Sequence, residues 1–238
     1  MGKLDGKVAL ITGASRGIGQ GIAEALGAEG SDSVLLARDG AALERNAGEL
    51  SRHGTSVLPV TTDVTDERQV QRAFALAMER FGHLDLLINN VGISEGGALD
   101  ELTVEAWDRV MAANLRGPFL CTREAFRIMK PAGGGRIINI ASIAARRVRP
   151  HTAPCSTSKH GLWGLTQVTA LEGRPFGISC GCLYPGNTLV EKLRNRKEPM
   201  MTVQDLAQAV VAMAALRPHV NMLEAVVLPV GQMYLGRG

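Results

Sequence analysis

Seven short runs of apolar residues recur along the chain, and amphipathic stretches separate them. Within each run the apolar positions are continuous rather than alternating with polar ones, which is typical of strands buried on both faces. The pattern therefore predicts a parallel sheet with helices packed on both sides. The predicted strands span residues 7–12, 33–37, 56–60, 85–89, 136–141, 178–183 and 224–228.

Six helices are predicted between the strands, from apolar residues at helical spacing. The longest contains Pro118, where we expect a kink, and Asp39 and Thr202 are predicted to cap the starts of two others. Right-handed crossovers then give an α/β fold: a Rossmann-like, doubly wound parallel sheet of about seven strands, ordered 3-2-1-4-5-6-7, in a single domain over 1–238. The predicted helices span residues 18–29, 41–52, 67–81, 104–130, 154–172 and 203–216.

A glycine turn with the letters TGASRGIG, residues 12–19, lies between the first predicted strand and the first predicted helix. Gly13, Gly17 and Gly19 permit a tight turn and a close approach to a ligand. The helix that follows offers unpaired N–H groups and the positive end of its dipole. This arrangement is typical of a site for the pyrophosphate of a dinucleotide, although the glycines alone are weak evidence.

Composition narrows the function classes. The chain has 238 residues, 45% of them hydrophobic and 21% charged, with 28 glycines, which is ordinary for a folded α/β protein. A net charge of +3 is too small to favour nucleic acid, and no apolar run is long enough to span a membrane. The four cysteines lack zinc spacing and disulfide density, so we expect no metal site and a cytoplasmic location. Of these, Cys180 and Cys182 are interpreted as core residues.

Further motifs follow the glycine turn in a fixed order. They are Asp63-Val64, NNVG at 89–92, Asn114, Ser142, the segment 154–159 and Pro185-Gly186. In this order and at these intervals the chain resembles the short-chain dehydrogenase/reductase family over nearly its whole length. The resemblance implies hydride transfer between a nicotinamide coenzyme and a small-molecule ketone or secondary alcohol, in a homotetramer or homodimer.

The resemblance also implies which residues contact the coenzyme. Asp63 and Val64 would meet the adenine edge, Asn89 the ribose, and the backbone after Gly186 the nicotinamide carboxamide. Thr188 follows that glycine by two residues where the family has four, so the role of its side chain stays open. The implied coenzyme-binding residues are Gly13, Ser15, Arg16, Gly17, Ile18, Gly19, Arg38, Asp63, Val64, Asn89, Lys159, Pro185, Gly186 and Thr188.

The end of the second predicted strand decides between the two nicotinamide coenzymes. An NAD enzyme needs a carboxylate there for the ribose 2′-hydroxyl, whereas an NADP enzyme needs a cation for the 2′-phosphate. Here the strand ends at Ala37 and Arg38 follows, and Arg16 in the glycine turn can reach the same phosphate. Because Asp39 is interpreted as a helix cap, the sequence favours NADP(H) over NAD(H).

The candidate catalytic residues are Asn114, Ser142, Cys155 and Lys159. By resemblance, Ser142 binds the substrate oxygen, Lys159 bonds the nicotinamide ribose, and Asn114 distorts its helix and holds a water that contacts the lysine. The family has a tyrosine four residues before the lysine, as general acid or base, where this chain has Cys155. A thiol is shorter than a phenol and a poor hydrogen-bond donor, so we expect carbonyl reduction to be absent or very slow.

Two classes of function stay open. One is an impaired NADP(H)-dependent oxidoreductase, and the other is a non-catalytic nucleotide-binding protein that acts through assembly or partners. Thiol chemistry is a third possibility, because Cys155 lies in the first turn of a predicted helix with a lysine four residues later.

Two surface segments also have two interpretations each. Residues 187–201 are either a flap over the substrate or a surface loop. Arg146, Arg147 and Arg149 are interpreted as a solvated rim or subunit contact, in preference to a site for an anionic substrate. His151 could pass a proton through water, although a solvated loop histidine is the simpler interpretation.

Overall fold

Seven parallel strands form one sheet in a computed structural model, which describes residues 2–190 and 198–234. The strands are β1 Val8–Thr12, β2 Asp32–Ala37, β3 Val57–Thr61, β4 Leu86–Asn89, β5 Gly135–Ile140, β6 Ile178–Pro185 and β7 Glu224–Val227. Their order is β3-β2-β1-β4-β5-β6-β7, which confirms the predicted topology. Each neighbouring pair is parallel, with Leu10 of β1 opposite Val34 of β2 and Leu87 of β4.

The helices cover both faces of this sheet. They are α1 Gly17–Ala28, α2 Gly40–Leu50, α3 Glu67–Phe81, α4 Val104–Met111, α5 Gly117–Ala132, α6 Ala153–Gly173 and α7 Val203–Ala214. Side chains of β1 alternate between two cores, since Ala9 and Ile11 pack with α1 and α7 while Val8 and Leu10 pack with α3 and α5. Both faces of the central strand are thus buried, as its unbroken apolar run predicts.

One predicted helix, 104–130, differs from the structure. It is divided into α4 and α5 by a π-helical turn, Ala112–Arg116. Pro118 lies in the first turn of α5, and the distortion of the helix is the π-helical turn directly before it. The irregular turn precedes it, at Asn114. Pro118 has no N–H to donate to the Asn114 carbonyl four residues earlier, so the proline disfavours regular α-helical bonding there.

The predicted helix caps and core cysteines are confirmed. Asp39 accepts a hydrogen bond from the Ala42 N–H, and Thr202 forms a reciprocal capping box with Asp205. Cys180 and Cys182 are fully buried, and burial raises the pKa of both thiols.

The described residues lack a membrane-spanning helix and a metal-binding cluster. Within residues 2–190 and 198–234, no helix is long and apolar enough to cross a membrane. The same residues contain no group of three or more histidine, cysteine or acidic side chains that could hold a metal ion.

Candidate active site

The candidate site lies along the carboxyl ends of β1 to β6, and the strand order reverses between β1 and β4. In an open parallel sheet, the loops diverge at this point and leave a crevice for a ligand. Most of the residues singled out from the sequence lie in the loops after these strands and in the first turns of α1 and α6. The fold therefore brings motifs that are distant in the chain to one edge of the sheet.

The glycine turn joins β1 to α1 with two residues in the left-handed region, Gly13 at φ 68° and Gly17 at φ 58°. Gly19 lies against the same turn. A Cβ at Gly19 would be 2.8 Å from the carbonyl carbon of Gly13 and 2.5 Å from Nδ2 of Asn90. The close approach of α1 to the turn therefore depends on glycine at this position.

Asn90 and Thr12, which the sequence predictions left out, hold this turn to the end of β4. Asn90 Nδ2 donates to the carbonyl oxygens of Thr12 at 2.9 Å and Gly13 at 3.3 Å. The Thr12 hydroxyl donates to the Ile88 carbonyl and accepts from the N–H groups of Asn90 and Val91. The NNVG motif contained the signal, because its second asparagine reaches the turn and only the first had been singled out.

The start of α1 has no capping side chain. Arg16 is at the N-cap position without a side-chain cap bond, and the first turn contains no acidic residue. Ser15 and Ile18 are half-buried beside it. The first N–H groups of a helix have no intrahelical partners, and with the dipole they favour an anion. The local geometry therefore fits a phosphate group.

Two arginines are exposed near the adenosine end that the resemblance implies. Arg16 lies in the glycine turn and Arg38 directly follows β2, whose last residue, Ala37, is buried. Asp39 is engaged as the cap of α2, with its Oδ1 3.0 Å from the Ala42 nitrogen. Beyond β2, Arg38 is thus an exposed cation, while the Oδ1 of Asp39 is engaged in capping α2.

Asp63 and Val64 form a turn after β3. Asp63 Oδ1 accepts from the backbone N–H and the hydroxyl of Thr65, at 2.9 and 2.8 Å, and the Asp63 N–H donates to Gln69. Val64 is buried against Gly117, where a Cβ would lie 2.8 Å from its Cγ2. These contacts fix the turn at the edge of the crevice, and the adenine contact remains a prediction.

Asn89 is buried at the end of β4, and its amide group points into the protein. Its Nδ2 donates to Thr122 Oγ1 at 3.1 Å and to Asn139 Oδ1 at 2.9 Å. Asn139 in turn donates to Thr166. Asn89 Oδ1 is buried without a hydrogen-bond partner among the described residues. A ribose contact at this position would therefore come from the Asn89 backbone and not from its amide group.

Lys159 and Ser142 are both held at the end of β5. Lys159 Nζ donates to the carbonyl oxygen of Ile140 at 2.8 Å, and the residue is only 6% exposed. Desolvation by this burial lowers the pKa of the Lys159 ammonium. Ser142 is half-buried, and its Oγ accepts from the Ala144 N–H at 3.1 Å. A Cβ at Gly92 would lie 3.6 Å from Lys159 Nζ, so the missing side chain leaves room beside the ammonium.

Asn114 lies in the π-helical turn, which confirms the distortion implied by the resemblance. Its Oδ1 accepts from the Ile93 N–H at 2.8 Å, and its Nδ2 donates to the Ile93 carbonyl at 2.9 Å and to Ser158 Oγ at 3.2 Å. Ser158 Oγ also donates to the Cys155 carbonyl. The Asn114 side chain thus ties the loop after β4 to the first turns of α6, and sequence reasoning missed Ser158.

The segment after β6 is held by hydrogen bonds from several directions. Pro185 ends the strand, and the Gly186 N–H donates to the Val227 carbonyl at 2.8 Å. Thr188 is buried, and its hydroxyl donates to the Gly186 carbonyl at 3.2 Å. Thr188 also pairs with Met201 as an isolated bridge. The two ends of the expected flap, 187–201, are therefore joined, while residues 191–197 lie outside the described part of the chain.

Comparison with known proteins identifies the family. A sequence model described as short chain dehydrogenase matches residues 7–201. The chain belongs to the short-chain dehydrogenase family. This family is one of oxidoreductases, as the resemblance implied.

Individual members of the family support the assignment. The chain is 42% identical over 185 residues to a Streptomyces violaceoruber protein named for ketoacyl reduction in the granaticin polyketide synthase, covering 75% of this chain and 66% of that protein. It is 33% identical to a 3-oxoacyl-[acyl-carrier-protein] reductase of a Synechocystis strain, covering 87% and 85%. A metagenomic short-chain oxidoreductase solved in complex with NADP superposes with a TM-score of 0.86 at 31% identity, covering 95% and 98%.

The crevice of this short-chain dehydrogenase fits a dinucleotide. The turn that would hold the pyrophosphate has no room for a Cβ at Gly19. Its helix start is uncapped, and Arg16 and Arg38 are exposed nearby. A glycine cradle, free N–H donors and two cations are the groups that a phosphorylated dinucleotide requires.

Cys155 lies in the first turn of α6, one helical turn before Lys159. It is half-buried, whereas the other three cysteines of this short-chain dehydrogenase, all within the described ranges, are buried. Residues four apart share one face of a helix. Cys155 and Lys159 therefore lie on one face of α6.

The arginines after Ser142 differ in their contacts. Arg146 stacks on the rings of Trp163 and Tyr184, at 5.3 and 4.9 Å, and forms an ion pair with Glu224. Arg147 lies over the ring of Tyr234 at 5.6 Å. Arg146, Arg147 and Arg149 are all exposed, and the first two are held by these contacts within the chain.

Proposed function

We propose that this short-chain dehydrogenase is an NADP(H)-dependent oxidoreductase that interconverts a ketone and a secondary alcohol, with proton transfer impaired by Cys155. The observation that carries the proposal is the placement of Ser142, Lys159 and Cys155 around the end of β5 and the start of α6. When bound, the coenzyme supplies or accepts the hydride. Every other task falls to side chains of the chain itself.

Ser142 would orient the substrate oxygen, because a half-buried hydroxyl at a strand end can donate to a carbonyl. Lys159 donates one ammonium N–H to the Ile140 carbonyl, and its other N–H groups would bind the ribose hydroxyls. Asn114 would place a water through its carbonyl, since its side chain is already bonded to Ile93 and Ser158. Cys155 would stand where a proton donor is needed, and its short thiol is a weak one.

Three observations support NADP(H) in preference to NAD(H). Arg16 in the glycine turn and Arg38 after β2 are exposed, and Asp39 is bonded to the start of α2. The related metagenomic enzyme was solved with NADP. An Arg38→Ala variant should lose about tenfold in affinity for NADPH, because one charge-assisted contact is removed. Its affinity for NADH should stay within about twofold.

The relatives indicate where to search for the substrate. Two of them are named for the reduction of ketoacyl or 3-oxoacyl groups, so we propose β-keto acyl compounds as the first class to assay. A homotetramer or homodimer, a cytoplasmic location and a single domain over 1–238 complete the proposal.

The decisive experiment compares the parent with Cys155→Tyr and Cys155→Phe. NADPH binding is followed by fluorescence, and NADPH oxidation is followed against a panel of ketones and β-keto thioesters. We expect all three proteins to bind NADPH and the Tyr variant to turn over at least about a hundredfold faster than the parent, the size of a general-acid contribution. The Phe variant controls for ring volume without the hydroxyl, and it should stay as slow as the parent.

Turnover by the parent at the rate of the Tyr variant would refute the assigned role of Cys155. NADPH binding without turnover in any of the three proteins would favour the second candidate, a non-catalytic nucleotide-binding protein that acts through assembly or partners. The observation favouring that candidate is Cys155 itself. Thiol chemistry would instead appear as rapid alkylation of Cys155 at neutral pH that NADPH blocks.

A further inference from the structure

The C-terminal segment 229–234 lies against the residues that follow β6. Gln232 Oε1 accepts from the Asn187 N–H at 2.8 Å, across 45 positions of the sequence. A Cβ at Gly186 would overlap the same oxygen, so the amide group of Gln232 rests directly on the backbone of the Pro185-Gly186 turn. This contact comes from outside both the turn and the expected flap.

The C-terminal segment is itself fixed in place. The Gln232 N–H donates to the Pro229 carbonyl at 2.9 Å, and the Tyr234 N–H donates to the Gln232 carbonyl at 2.8 Å. Tyr234 lies under the guanidinium of Arg147, in the loop that follows Ser142. The segment therefore connects the loop after β5 with the turn after β6, and Gln232 is the residue whose side chain bonds to the turn.

The other side-chain hydrogen bonds of the turn stay within residues 186–199. Thr188 Oγ1 donates to the Gly186 carbonyl, and Asn187 Nδ2 donates to Glu198 and to the Pro199 carbonyl. The backbone of residue 187 thus has a partner from another part of the chain in Gln232. Without that acceptor, a half-buried N–H would lose its bond and the turn would lose one of its two links to the C-terminal strand and segment, the other being Val227.

We infer that Gln232 is a positioning residue for the nicotinamide end of the coenzyme. The inference rests on the proposed function, in which the backbone after Gly186 meets the nicotinamide carboxamide. The hydrogen bonds of Gln232 go to the turn after β6 and to residues of its own segment, whereas the phosphate cradle lies between β1 and α1. Loss of the Gln232 acceptor should therefore weaken binding of the whole coenzyme and leave binding of the adenosine half unchanged.

The test uses Gln232→Met, which keeps the side-chain volume without an acceptor, and Gln232→Glu, which keeps an acceptor oxygen at the same reach. Affinities for NADPH and for adenosine 2′,5′-bisphosphate, which lacks the nicotinamide, are measured by titration of each variant and the parent. We expect Gln232→Met to bind NADPH about tenfold more weakly, the size of one lost hydrogen bond. Its affinity for the bisphosphate should equal that of the parent, and Gln232→Glu should restore NADPH binding.

Equal NADPH affinity in the Met variant and the parent would overturn the inference, and so would a parallel loss of both ligands that the Glu variant does not rescue. Either result leaves the proposed function standing, because the parent still binds NADPH. Failure of the parent to bind both ligands would overturn the proposed function and this inference together.

Discussion

Replacing Gly19 with alanine tests the coenzyme cradle most directly. Gly19 lies in α1, where a Cβ would be 2.8 Å from the Gly13 carbonyl carbon and 2.5 Å from Asn90 Nδ2. One of these neighbours is backbone, and the other is an amide that bonds to the Thr12 and Gly13 carbonyls. Neither can retreat without breaking the turn, so α1 and the turn must move apart.

The magnitude follows from two opposing effects. Alanine in place of glycine inside a helix stabilises by about 1 kcal/mol. Overpacking against immobile atoms costs about 1–3 kcal/mol, and the upper part of that range applies because the neighbours are backbone or hydrogen-bonded. We therefore expect Gly19→Ala to lower the free energy of unfolding by about 2 kcal/mol. The same shift displaces the N–H donors of α1, so NADPH affinity should fall at least about tenfold.

Gly48 supplies the matched control. It is an exposed helical residue in α2, with no atom within 4 Å of a Cβ placed on it. Gly48→Ala should raise the free energy of unfolding by about 0.5–1 kcal/mol and leave NADPH binding unchanged. Urea unfolding should separate the midpoints of the two variants by about 1 M or more. If Gly19→Ala is as stable as Gly48→Ala and binds NADPH normally, the close approach of α1 to the turn is not what the cradle requires.

Three further predictions concern titration, thiol access and capping. Burial lowers the pKa of Lys159 below 10.5, so the unfolded chain binds more protons between the folded-state pKa and 10.5, and the free energy of unfolding should rise with pH in that window. Lys159→Met should lose this rise in urea titrations at successive pH values. Of the four thiols, only the half-buried Cys155 should react with a disulfide reagent in the native protein, whereas burial raises the pKa of the Cys121 thiol to about 12. If native Cys155→Ser reacts with as many reagent molecules per chain as the parent, this prediction is contradicted. Asp39→Ala should lower the free energy of unfolding by about 1 kcal/mol, because the α2 cap is lost. NADPH affinity should stay within about twofold of the parent, and a larger change in either direction would show that Asp39 faces the ribose.

The sheet could be predicted well because a strand that is buried on both faces requires a continuous run of apolar residues. Each of the seven predicted strands overlaps an observed one, since a central parallel strand tolerates few polar residues. Asp39 was also assigned correctly as a cap, because the preference for aspartate at that position depends on local backbone geometry alone.

Predictions that depended on contacts between distant residues were weaker. The periodicity of 104–130 is continuous through the π-helical turn at Asn114, so one long helix with a kink at Pro118 was the natural expectation. The ribose contact of Asn89 stays a prediction, and its motif did not indicate that the side-chain amide bonds to Thr122 and Asn139. The identity of these partners depends on how strands and helices stack, and a local motif does not contain it.

Gln232 is the residue of the candidate site that the sequence alone was least able to identify. Nothing near it in the chain marks it as important, and its partner Asn187 is 45 residues away. The signal exists only once β6 and β7 are side by side, with Cys182 opposite Glu224. Ser158 is similar, because its bond to Asn114 spans 44 residues.

The hydrogen bonds that position Lys159 and Ser142 determine how the site responds to a mutation at position 155. Lys159 is held by the Ile140 carbonyl and Ser142 by the Ala144 N–H, and neither bond involves the side chain at position 155. A codon for cysteine differs from a codon for tyrosine by a single base. Both bonds can thus be inherited unchanged while residue 155 changes, and one base change in the gene is enough to place a tyrosine there.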